Sequence, residues 1–509
     1  MKNIAIIYPN QLYEIKYLPY DINKIDFFII IEDTLYFKDK ERKLNFNLLK
    51  LIYQRACMKY YESYLINLNL NIDYIEYNNN IENLYLFINK KYNKNNYHLH
   101  IIDPIDFLLE ERIEFFCKKY NYQLTFYDSP NFLLTNEDND NFYDKDKKII
   151  HKQYYIYFRQ KFNILMNDKN KPQGGDYSYD KYNRNSIPES SFDEFIKEKN
   201  IEYYETKYES NYYDDAITYC EKNFKNYYKE NYKPKNIYKY PIDFNQCQEH
   251  FINFLKYKMK YFGPYEDAID FEEISMFHSV ISPMLNIGLL NPKWILNETI
   301  KFYENNNKKM LYSVEGFIRQ LIWREYSRLL YRKAYDKMIK NYFNNTNHLN
   351  EKWYKGNTGI LPIDLSIKTA FQYGYLHHII RLMILCNFMN LCMIDPYDVY
   401  KWFMEFSLDS YDWVMINNVY SMGMFADGGY TMSKVYITKS NYVNKQSKLN
   451  KDDNWDKIWD TLYYYFIYKN YDKLQARSKI YQGHWNKIAN KDDIINNSKK
   501  YIKILTKST

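Results

Sequence analysis

The stretch Met422-Gly-Met-Phe-Ala-Asp-Gly-Gly-Tyr430, followed by Ser433-Lys-Val-Tyr436 and Ser440-Asn-Tyr442, is the most distinctive part of the chain. Two adjacent glycines can adopt backbone angles that residues with a β-carbon avoid, so the chain can turn tightly or approach a ligand closely here. An aspartate, a lysine and three tyrosines surround this turn, in a chain with only 12 glycines among 509 residues. Such a surface can hold a planar, phosphate-bearing partner by stacking and charge.

The composition is that of a globular protein large enough for two or three domains. Hydrophobic residues make up 46% of the chain and charged residues 26%. The formal net charge of +7 permits nucleic-acid binding but does not demand it, because a local basic patch matters more than the total. The 61 tyrosines weaken any argument that rests on one tyrosine alone.

The apolar runs are too short for a membrane span. The run Ile379–Met393 contains arginine and asparagine and falls short of the roughly 20 residues that a spanning helix needs. The apolar start of the chain ends at Pro9 and is typical of a buried strand rather than a signal peptide. Six cysteines without paired spacing favour reduced structural thiols. We therefore expect a soluble, intracellular monomer, with cytoplasm, nucleus and viral compartment equally open.

The first third of the chain alternates short apolar runs with helical patterns, which predicts a parallel, doubly wound sheet over residues 1–135. No Gly-x-Gly-x-x-Gly follows a strand, so the ordinary dinucleotide fingerprint is absent. The expected strands are Ile4–Tyr8, Phe27–Ile31, Ile72–Tyr77, His98–Ile102 and Gln123–Tyr127, and the expected helices are Leu48–Leu68 and Ile105–Tyr120.

The rest of the chain has a different character. Residues 136–240 are polar, aromatic and turn-rich, which indicates an ordered interdomain linker. Residues 241–509 have helical periodicity and predict an all-helical domain, so the fold class is α/β followed by all-α. The expected helices are 243–262, 266–290, 298–306, 313–345, 363–391, 396–407, 454–468 and 494–505.

Four stretches of the helical half carry the chemistry: Phe262–Ile269, His278–Leu290, Val314–Tyr326, and the segment from His377 through Asn418 to the glycine turn. In the second, Ser279 and Ser282 precede a proline that suits the first turn of a helix. Hydroxyls and free backbone N–H groups at a helix start suit a diphosphate, although a plain helix cap is the alternative.

In this order, the four stretches resemble the photolyase/cryptochrome superfamily, and most closely its bacterial and archaeal branch that carries an iron–sulfur cluster and repairs pyrimidine photoproducts in DNA. The resemblance implies an N-terminal Rossmann-like antenna domain and a C-terminal helical domain that binds FAD and damaged DNA. The flavin contacts that it implies are Tyr265, His278, Ser279, Ile281, Ser282, Glu315, Gln320, Trp323, Asp409 and Asn418.

Two adjacent histidines are the candidates for proton transfer. On a helix, His377 and His378 point about 100° apart, so at most one of them faces a given cavity squarely. Imidazole gives or takes a proton near neutral pH, and repair of a (6-4) photoproduct must return a hydroxyl or amino group between bases. By resemblance, His378 is the essential histidine, and Tyr436 and Tyr442 contact the lesion.

The expected partner is UV-damaged DNA, whose phosphates require cations. Lysines are usually solvated, so these assignments are hypotheses: Arg381, Lys434, Lys439 and Lys445. The histidine pair and the two tyrosines favour the (6-4) lesion, with a cyclobutane pyrimidine dimer as the close competitor. The alternative of a different class is a cryptochrome-like blue-light signalling flavoprotein without repair activity.

Trp402 and Tyr354 occupy positions that in the family belong to an aromatic chain carrying electrons between the surface and the flavin. Here Tyr354 replaces a tryptophan, and Phe403 replaces a tyrosine. Because phenylalanine is much harder to oxidise, we expect photoreduction of the flavin to use another route or to be slow.

No metal and no iron–sulfur cluster is expected. The family's cluster cysteines fall at Pro362, Asn450, Asp453 and a position after Asn454, and none of these is cysteine here, whereas a cluster needs thiolate ligands.

The N-terminal third resembles the antenna domain more weakly, through segments such as Asn10–Leu12, Gln54–Met58 and the residue Glu32. In relatives this domain holds a light-harvesting chromophore such as a lumazine. Whether one binds here stays open.

Overall fold

The computed structural model describes residues 2–78, 81–91, 97–145, 147–188, 191–449 and 454–507. The N-terminal part is built on a five-stranded, all-parallel sheet with strand order β3-β2-β1-β4-β5. The strands are β1 (Lys2–Ile7), β2 (Phe27–Ile31), β3 (Ile72–Ile75), β4 (Tyr97–Ile102) and β5 (Gln123–Tyr127).

The central strands show why the sequence forms this sheet. Ile4 to Ile7 of β1 and Phe28 to Ile31 of β2 are at most 2% exposed, as expected for strands covered on both faces by crossover helices. Ile4 is in register with Phe27 on one side and with Leu99 on the other. All five predicted strands are confirmed, and their ends shift by no more than two residues.

The helices of the sheet domain are α1 (Thr34–Phe37), α2 (Leu48–Asn67), α3 (Ile81–Lys91) and α4 (Phe107–Tyr120). Helix α4 begins two residues later than predicted because Ile105 has a positive φ of 55° and Asp106 caps the helix, accepting from the backbone N–H groups of Leu108 and Leu109. Helix α3 was not predicted; it lies in a stretch rich in asparagine and lysine.

The segment between the two domains is more helical than its composition indicated. It contains α5 (Asn136–Phe142), α6 (His151–Lys161), α7 (Phe192–Glu198) and α8 (Asn211–Asn223). Side chains at the helix starts explain this: Thr135 and Asp138 form a capping box, and Ser191 and Ser210 cap α7 and α8.

The C-terminal part is helical, as predicted. Its helices are α9 (Phe244–Asn253), α10 (Met259–Phe262), α11 (Ser282–Ile287), α12 (Pro292–Asn305), α13 (Leu311–Met338), α14 (Lys352–Lys355), α15 (Leu361–Tyr373), α16 (Asn387–Leu391), α17 (Pro396–Phe406), α18 (Asp412–Met415), α19 (Ser440–Ser447), α20 (Trp455–Lys469), α21 (Tyr471–Gln475), α22 (Lys479–Asn486) and α23 (Lys491–Leu505). Wider π-helical turns are formed by Phe254–Lys258, Ile380–Cys386 and Ile416–Gly423, and a short antiparallel pair joins β6 (His348–Leu349) to β7 (Thr506–Lys507).

Three predicted helices are wrong in part, the first being 313–345, whose helix α13 ends at Met338. Residues 266–281 do not continue as a helix, because Met276 and Val280 have positive φ angles of 42° and 53°; only α11 is helical in that stretch. The predicted helix 363–391 breaks at Gly374, where φ is 64°. His377 therefore lies in a turn and His378 begins the next helix, so the two histidines do not share one helical face.

Among the described residues, no helix is both long and apolar enough to cross a bilayer. All six cysteines are buried and unpaired, and burial raises the pKa of the Cys117 thiol to about 12. They have the character of inert core thiols, as predicted.

Candidate functional site

A groove opens in the helical half where the four chemistry-bearing stretches converge. Its walls come from the turn before α11, from α13 and from the loop that leads into α18. A further wall is the segment that carries His377 and His378, called the histidine turn below. The empty space in the groove and its mouth amounts to about 1110 Å³. Among its lining residues are ten that the sequence singled out: His278, Ser279, Ile281, Ser282, Gln320, Trp323, His378, Arg381, Asp409 and Asn418.

Asp409 is the centre of a hydrogen-bond cluster in one wall of this groove. Arg381 donates to both of its carboxylate oxygens, from Nη1 at 2.9 Å and from Nη2 at 3.1 Å, and Ser282 Oγ donates at 2.6 Å. Ser407 Oγ also donates to it. Burial alone raises the pKa of a carboxyl, but here the guanidinium and the hydroxyls hold the pKa of Asp409 below its usual value. Asp409 is therefore a fixed anion.

Helix α13 presents polar side chains to the opposite wall. Trp323 Nε1 donates to Asn418 Oδ1 at 3.1 Å, which leaves the amide N–H₂ of Asn418 available for an acceptor on a ligand. Gln320 Nε2 donates to Glu266 Oε1 at 2.6 Å. The π-helical turn that carries Asn418 is of the kind that often marks functional sites.

Arg324 is the most unusual group in the groove. Its Nε donates to Asn286 Oδ1 at 2.9 Å, and another nitrogen donates to the carbonyl oxygen of Asn131, but Nη2 has no hydrogen-bond partner among the described residues. Burial lowers the pKa of the Arg324 guanidinium to about 10. A buried cation with an unused N–H is suited to an anionic ligand group.

Three histidine rings meet at the other end of the groove. His278 stacks on His377 with ring centroids 4.6 Å apart, and both are buried, whereas the side chain of His378 is 40% exposed. Burial lowers the pKa of His278 to about 3 and holds the pKa of His377 well below its usual value, so both are neutral. His278 and His378 both line the groove, but only His378 is partly exposed, and its Nε2 lies 3.7 Å from Asp267 Oδ1.

Tyr436 and Tyr442 lie beside this end of the site but do not line the groove. Burial raises the pKa of both hydroxyls, and the neighbouring charges of Asp267 and Arg184 act on both. The backbone N–H of Ile269 donates to the carbonyl of Gln446 at 3.2 Å, which ties α19 to the loop that carries Asp267.

The double-glycine turn has a structural explanation. Gly428 and Gly429 have φ angles of 62° and 87°, and Asp427 accepts from the N–H groups of Gly429 and Thr431 at 2.8 and 2.9 Å. A β-carbon at Gly428 would lie 2.6 Å from the ring of Tyr342. The turn therefore packs on Tyr342, and the segment after it carries the residues that approach the site.

The four cationic candidates are placed differently from one another. Arg381 is paired with Asp409 inside the groove, whereas Lys434 and Lys445 are exposed. Lys439 is half-buried, with its Nζ 4.0 Å from Asp460 Oδ2. The lysines, rather than Arg381, are available to an extended polyanion.

Two flavin candidates do not line the groove. Tyr265 packs against Phe195, with ring centroids 5.1 Å apart. Glu315 is fully buried, where it accepts from Tyr155 Oη at 2.6 Å and from the backbone N–H of Tyr179 at 3.0 Å. Conversely, Arg324 and Glu266 line the groove and were not among the predicted contacts, although both lie within the quoted stretches.

Known proteins match both halves of the chain. Residues 5–230 match the family described as "Deoxyribodipyrimidine photo-lyase-related protein", and residues 317–460 match the "FAD binding domain of DNA photolyase". The (6-4) photolyase of Agrobacterium fabrum is 34% identical over 222 residues, 42% of this chain and 44% of that protein. The chain belongs to the photolyase/cryptochrome superfamily.

The chain is also similar to a viral protein and to a solved structure of the same fold. An uncharacterized protein of Acanthamoeba polyphaga mimivirus is 51% identical over 199 residues, 38% of this chain and 100% of that protein. The structure of a cryptochrome from Synechocystis sp. PCC6803 has a TM-score of 0.55 at 13% identity and covers 98% of this chain and 99% of that one, which shows a shared fold.

The residues of the groove fit the flavin of a superfamily FAD domain. The unused Nη2 of Arg324 suits a phosphate, the amide of Asn418 suits a ring acceptor, and Trp323 and Trp413 provide flat apolar walls. The groove thus has the donors and the apolar surface that a dinucleotide requires.

The aromatic pair expected to conduct electrons lies behind the groove. Trp402 is fully buried, and its ring lies 4.8 Å from that of Phe406, on which the Arg381 guanidinium stacks at 5.6 Å. Tyr354 is half-buried, 6.4 Å from Phe371. The ring of Trp353 packs on Phe388 instead.

The positions that correspond to cluster cysteines in the superfamily are only partly described. Pro362 lies in the first turn of α15, whereas Asn450 and Asp453 lie outside the described residues. Nearby, Trp459 is buried at 4.6 Å from Phe388 and donates from Nε1 to the carbonyl of Thr438 at 2.9 Å.

The residues that resemble an antenna site make hydrogen bonds, ion pairs and ring contacts with other residues of the chain. Glu32 is buried, is paired with Arg55, and accepts from Tyr74 Oη at 2.6 Å. Arg55 also stacks on Tyr219, with its guanidinium carbon 3.3 Å from the ring centroid. These contacts stabilise the domain, and chromophore binding stays a prediction.

Proposed function

We propose that this protein is a light-driven, FAD-dependent DNA photolyase that repairs UV-induced pyrimidine photoproducts, with the (6-4) lesion favoured. The observation that carries the proposal is the convergence, on one groove of an FAD-binding domain, of the flavin candidates and the partly exposed His378. A flavin bound there would lie next to a proton-transfer group at an opening to the surface.

Arg324 would hold a phosphate of the FAD, and Asn418 would donate to its ring system. The paired Asp409 and Arg381 would keep the wall rigid and polar around it. When bound and reduced, FAD supplies the photoexcited electron that cleaves the lesion. The side chains of this groove bind and orient the cofactor and exclude water from it.

His378 is the residue best placed to move a proton. It lines the groove with 40% of its side chain exposed, and the nearby carboxylate of Asp267 can orient its ring. His278 and His377 stay neutral and buried behind it, so they would position His378 rather than titrate.

Lesion-bearing DNA would approach over the segment that follows the glycine turn. Damaged bases stack poorly, which lowers the cost of moving them into a pocket. Lys434 and Lys445 are exposed there, and each phosphate that they neutralise should add about one unit to the slope of log affinity against log salt. Tyr436 and Tyr442 would contact the displaced bases beside His378.

We also propose that the protein works without an iron–sulfur cluster. The support is the chain itself, which has no cysteine at the positions expected for the ligands. Iron in stoichiometric amounts and brown colour in the purified protein would contradict this.

The test uses oligonucleotides that carry either a (6-4) photoproduct or a cyclobutane dimer. The FAD-loaded, reduced protein is illuminated, and the products are separated by chromatography. We expect light-dependent loss of the (6-4) lesion. Repair of the dimer alone would contradict the choice of lesion, and repair of neither would favour the cryptochrome-like alternative.

His378→Asn and His348→Asn form a matched pair in this assay, because both side chains are 40% exposed and both lie near an aspartate. His378→Asn should abolish (6-4) repair while FAD and DNA still bind, and His348→Asn should repair normally. Full repair by His378→Asn would remove His378 from the mechanism.

A further inference from the structure

Tyr228 and Phe371 join the half-buried Tyr354 to the buried Trp402 through ring contacts. The Tyr228 ring stacks on Tyr354 at 5.8 Å with an interplanar angle of 14°, and on Phe371 at 4.2 Å with an angle of 26°. Phe371 in turn lies edge-on to Trp402 at 5.6 Å. Tyr228 comes from the segment between the two domains and was not among the electron-transfer candidates.

The carboxyl group of Glu405 lies beside the hydroxyl of Tyr228. The Tyr228 oxygen lies 2.9 Å from Glu405 Oε2 and 2.7 Å from the carbonyl oxygen of Asn45. Glu405 is 1% exposed, and its other oxygen accepts from the backbone N–H of Asn45 at 2.9 Å. Tyr228 and Glu405 are both buried away from bulk water. The titratable group that can accept the phenolic proton is therefore Glu405.

We propose that Tyr228 and Glu405 form a proton-coupled electron relay that refills Trp402 during photoreduction; this rests on the proposed function. One electron passes from Tyr228 to the oxidised Trp402. The phenolic O–H bond breaks, and its proton moves to Glu405, leaving a neutral tyrosyl radical and a protonated carboxyl. A thiolate in solution later returns one electron to the radical by way of the partly exposed Tyr354 end, and Glu405 gives its proton back to the phenolate oxygen. The thiyl radical that forms pairs with a second one as a disulfide.

The residues next to Trp402 favour electron transfer from Tyr228. Phe403, the neighbour of Trp402 in the chain, is much harder to oxidise than tyrosine, whereas Tyr228 reaches Trp402 through the ring of Phe371. Phenol oxidation is favourable only if the proton leaves with the electron, because the phenol radical cation is a strong acid. Glu405 meets that need without solvent.

The relay should depend on pH. Burial raises the pKa of Glu405 to about 7, the hydrogen bond from the Asn45 N–H and the charge of Lys401 lower it, and Asp398 raises it. The other titratable groups that face it are Lys50, Tyr228, Tyr354 and Tyr397. When protonated, Glu405 donates to the Tyr228 oxygen, and the phenol donates to Asn45, whose carbonyl cannot accept a proton. Only the ionised carboxylate accepts the proton, so the yield of tyrosyl radical should rise with pH through about 7.

The experiment detects the tyrosyl radical by electron paramagnetic resonance and transient absorption after a light flash on the FAD-loaded full-length protein. Tyr228→Phe preserves the stacked ring, and Glu405→Gln preserves its shape. Each should lower the radical yield by about tenfold or more at pH 8 and lengthen the lifetime of the oxidised tryptophan, because its reduction by tyrosine is lost. Tyr227→Phe, at the exposed neighbouring position 6.4 Å from Tyr228, should behave as wild type.

An unchanged radical yield in Tyr228→Phe, or a yield that does not vary with pH in the wild type, would overturn the relay. Repair by chemically reduced protein separates the two proposals, because it bypasses photoreduction. Normal repair in Tyr228→Phe with a lost radical signal supports the relay. A wild-type protein that forms the radical but repairs neither lesion would retain the relay and refute the proposed function.

Discussion

At the scale of single residues, the groove is defined by how its charges are satisfied. The cluster around Asp409 is complete, whereas Arg324 keeps an unused N–H in a buried place. Because Arg324 lines the groove, a buried N–H without a partner among the described residues is suited to an anionic ligand group. Both residues therefore make distinct and testable contributions.

Arg324→Lys should weaken FAD binding by about 10- to 100-fold. Lysine lacks the planar guanidinium, so it loses one charge-assisted hydrogen bond to the cofactor, worth about 1.5–3 kcal/mol. Flavin fluorescence titration of the apoprotein measures this. Arg332→Lys is the control, because Arg332 pairs with Glu110 and Asp103 away from the groove and should bind FAD normally. Equal affinity of Arg324→Lys and wild type would show that Arg324 does not contact the cofactor.

Asp409→Asn should lower the free energy of unfolding by about 3 kcal/mol, because it leaves the Arg381 guanidinium buried without its counter-ion. The folded-state pKa of Asp409 is depressed, so its contribution is present above the ordinary aspartate pKa and is lost as pH falls through the folded-state value. In urea unfolding, the free energy of unfolding of the variant should therefore fall less than that of the wild type as the pH is lowered. Asp140→Asn, at a side chain that is 57% exposed, should change little.

The sequence motifs contain most of these residues, because the residues lie in a few short stretches of the chain. They did not reveal side-chain direction. Glu315 and Trp323 both lie on α13, yet only Trp323 faces the groove, whereas Glu315 turns toward Tyr155. One helix turns each residue by about 100°, so a match in the motif alone cannot decide which face is functional.

At the scale of elements, the break between α15 and the histidine turn positions the site. Gly374 ends α15 in the left-handed region, and its carbonyl accepts from the backbone N–H of Leu408 at 2.9 Å. This bond brings the loop that carries Asp409 against the turn that carries His377 and His378. The sequence predicted an unbroken helix across Gly374, because one glycine in an apolar run does not interrupt the hydrophobic periodicity.

Gly374→Ala should destabilise the protein by about 3 kcal/mol, because an alanine there is strained and its β-carbon would overlap the Leu408 side chain. Thermal or urea unfolding measures the loss. Gly359→Ala is the matched control: its φ of 83° imposes similar strain, but no described atom lies within 4 Å of the added carbon, so it should cost about 1 kcal/mol. Equal losses in both variants would remove the role of the Leu408 contact.

The parallel sheet was the most predictable element, since the apolar runs of the central strands β1 and β2 demand burial on both faces and short apolar runs alternate with helical patterns around them. The helices of the middle segment were the least predictable. Their polar, tyrosine-rich sequences have weak periodicity, and caps such as Thr135 and Ser210 fix their starts only in the folded chain.

At the scale of the whole molecule, buried charges join the sheet domain to the helical domain. Arg42 donates to Asp39 and Asp106 at 2.8 and 2.7 Å and lies 3.5 Å from Asp412 at the start of α18. Lys50 donates to the carbonyl oxygens of Met404 and Ser410, both at 2.8 Å. The sheet domain thus supports the loop that carries Asp409.

Arg42→Met should cost about 3–5 kcal/mol, because it leaves three buried or nearly buried carboxylates without their shared cation. Denaturant unfolding should still show one transition, at a lower midpoint. Arg184→Met removes an exposed pair with Asp180 and should cost about 1 kcal/mol or less. A wild-type midpoint for Arg42→Met would mean that this cluster does not couple the domains.

The most direct test of the central claim is light-dependent repair by the wild-type protein. The protein is loaded with FAD, reduced chemically and mixed with a duplex that contains one (6-4) photoproduct, and restored thymines are counted by chromatography after illumination and in a dark control. We predict restoration only in the light. A protein that binds FAD stoichiometrically yet restores no bases from either the (6-4) lesion or the cyclobutane dimer would contradict the account.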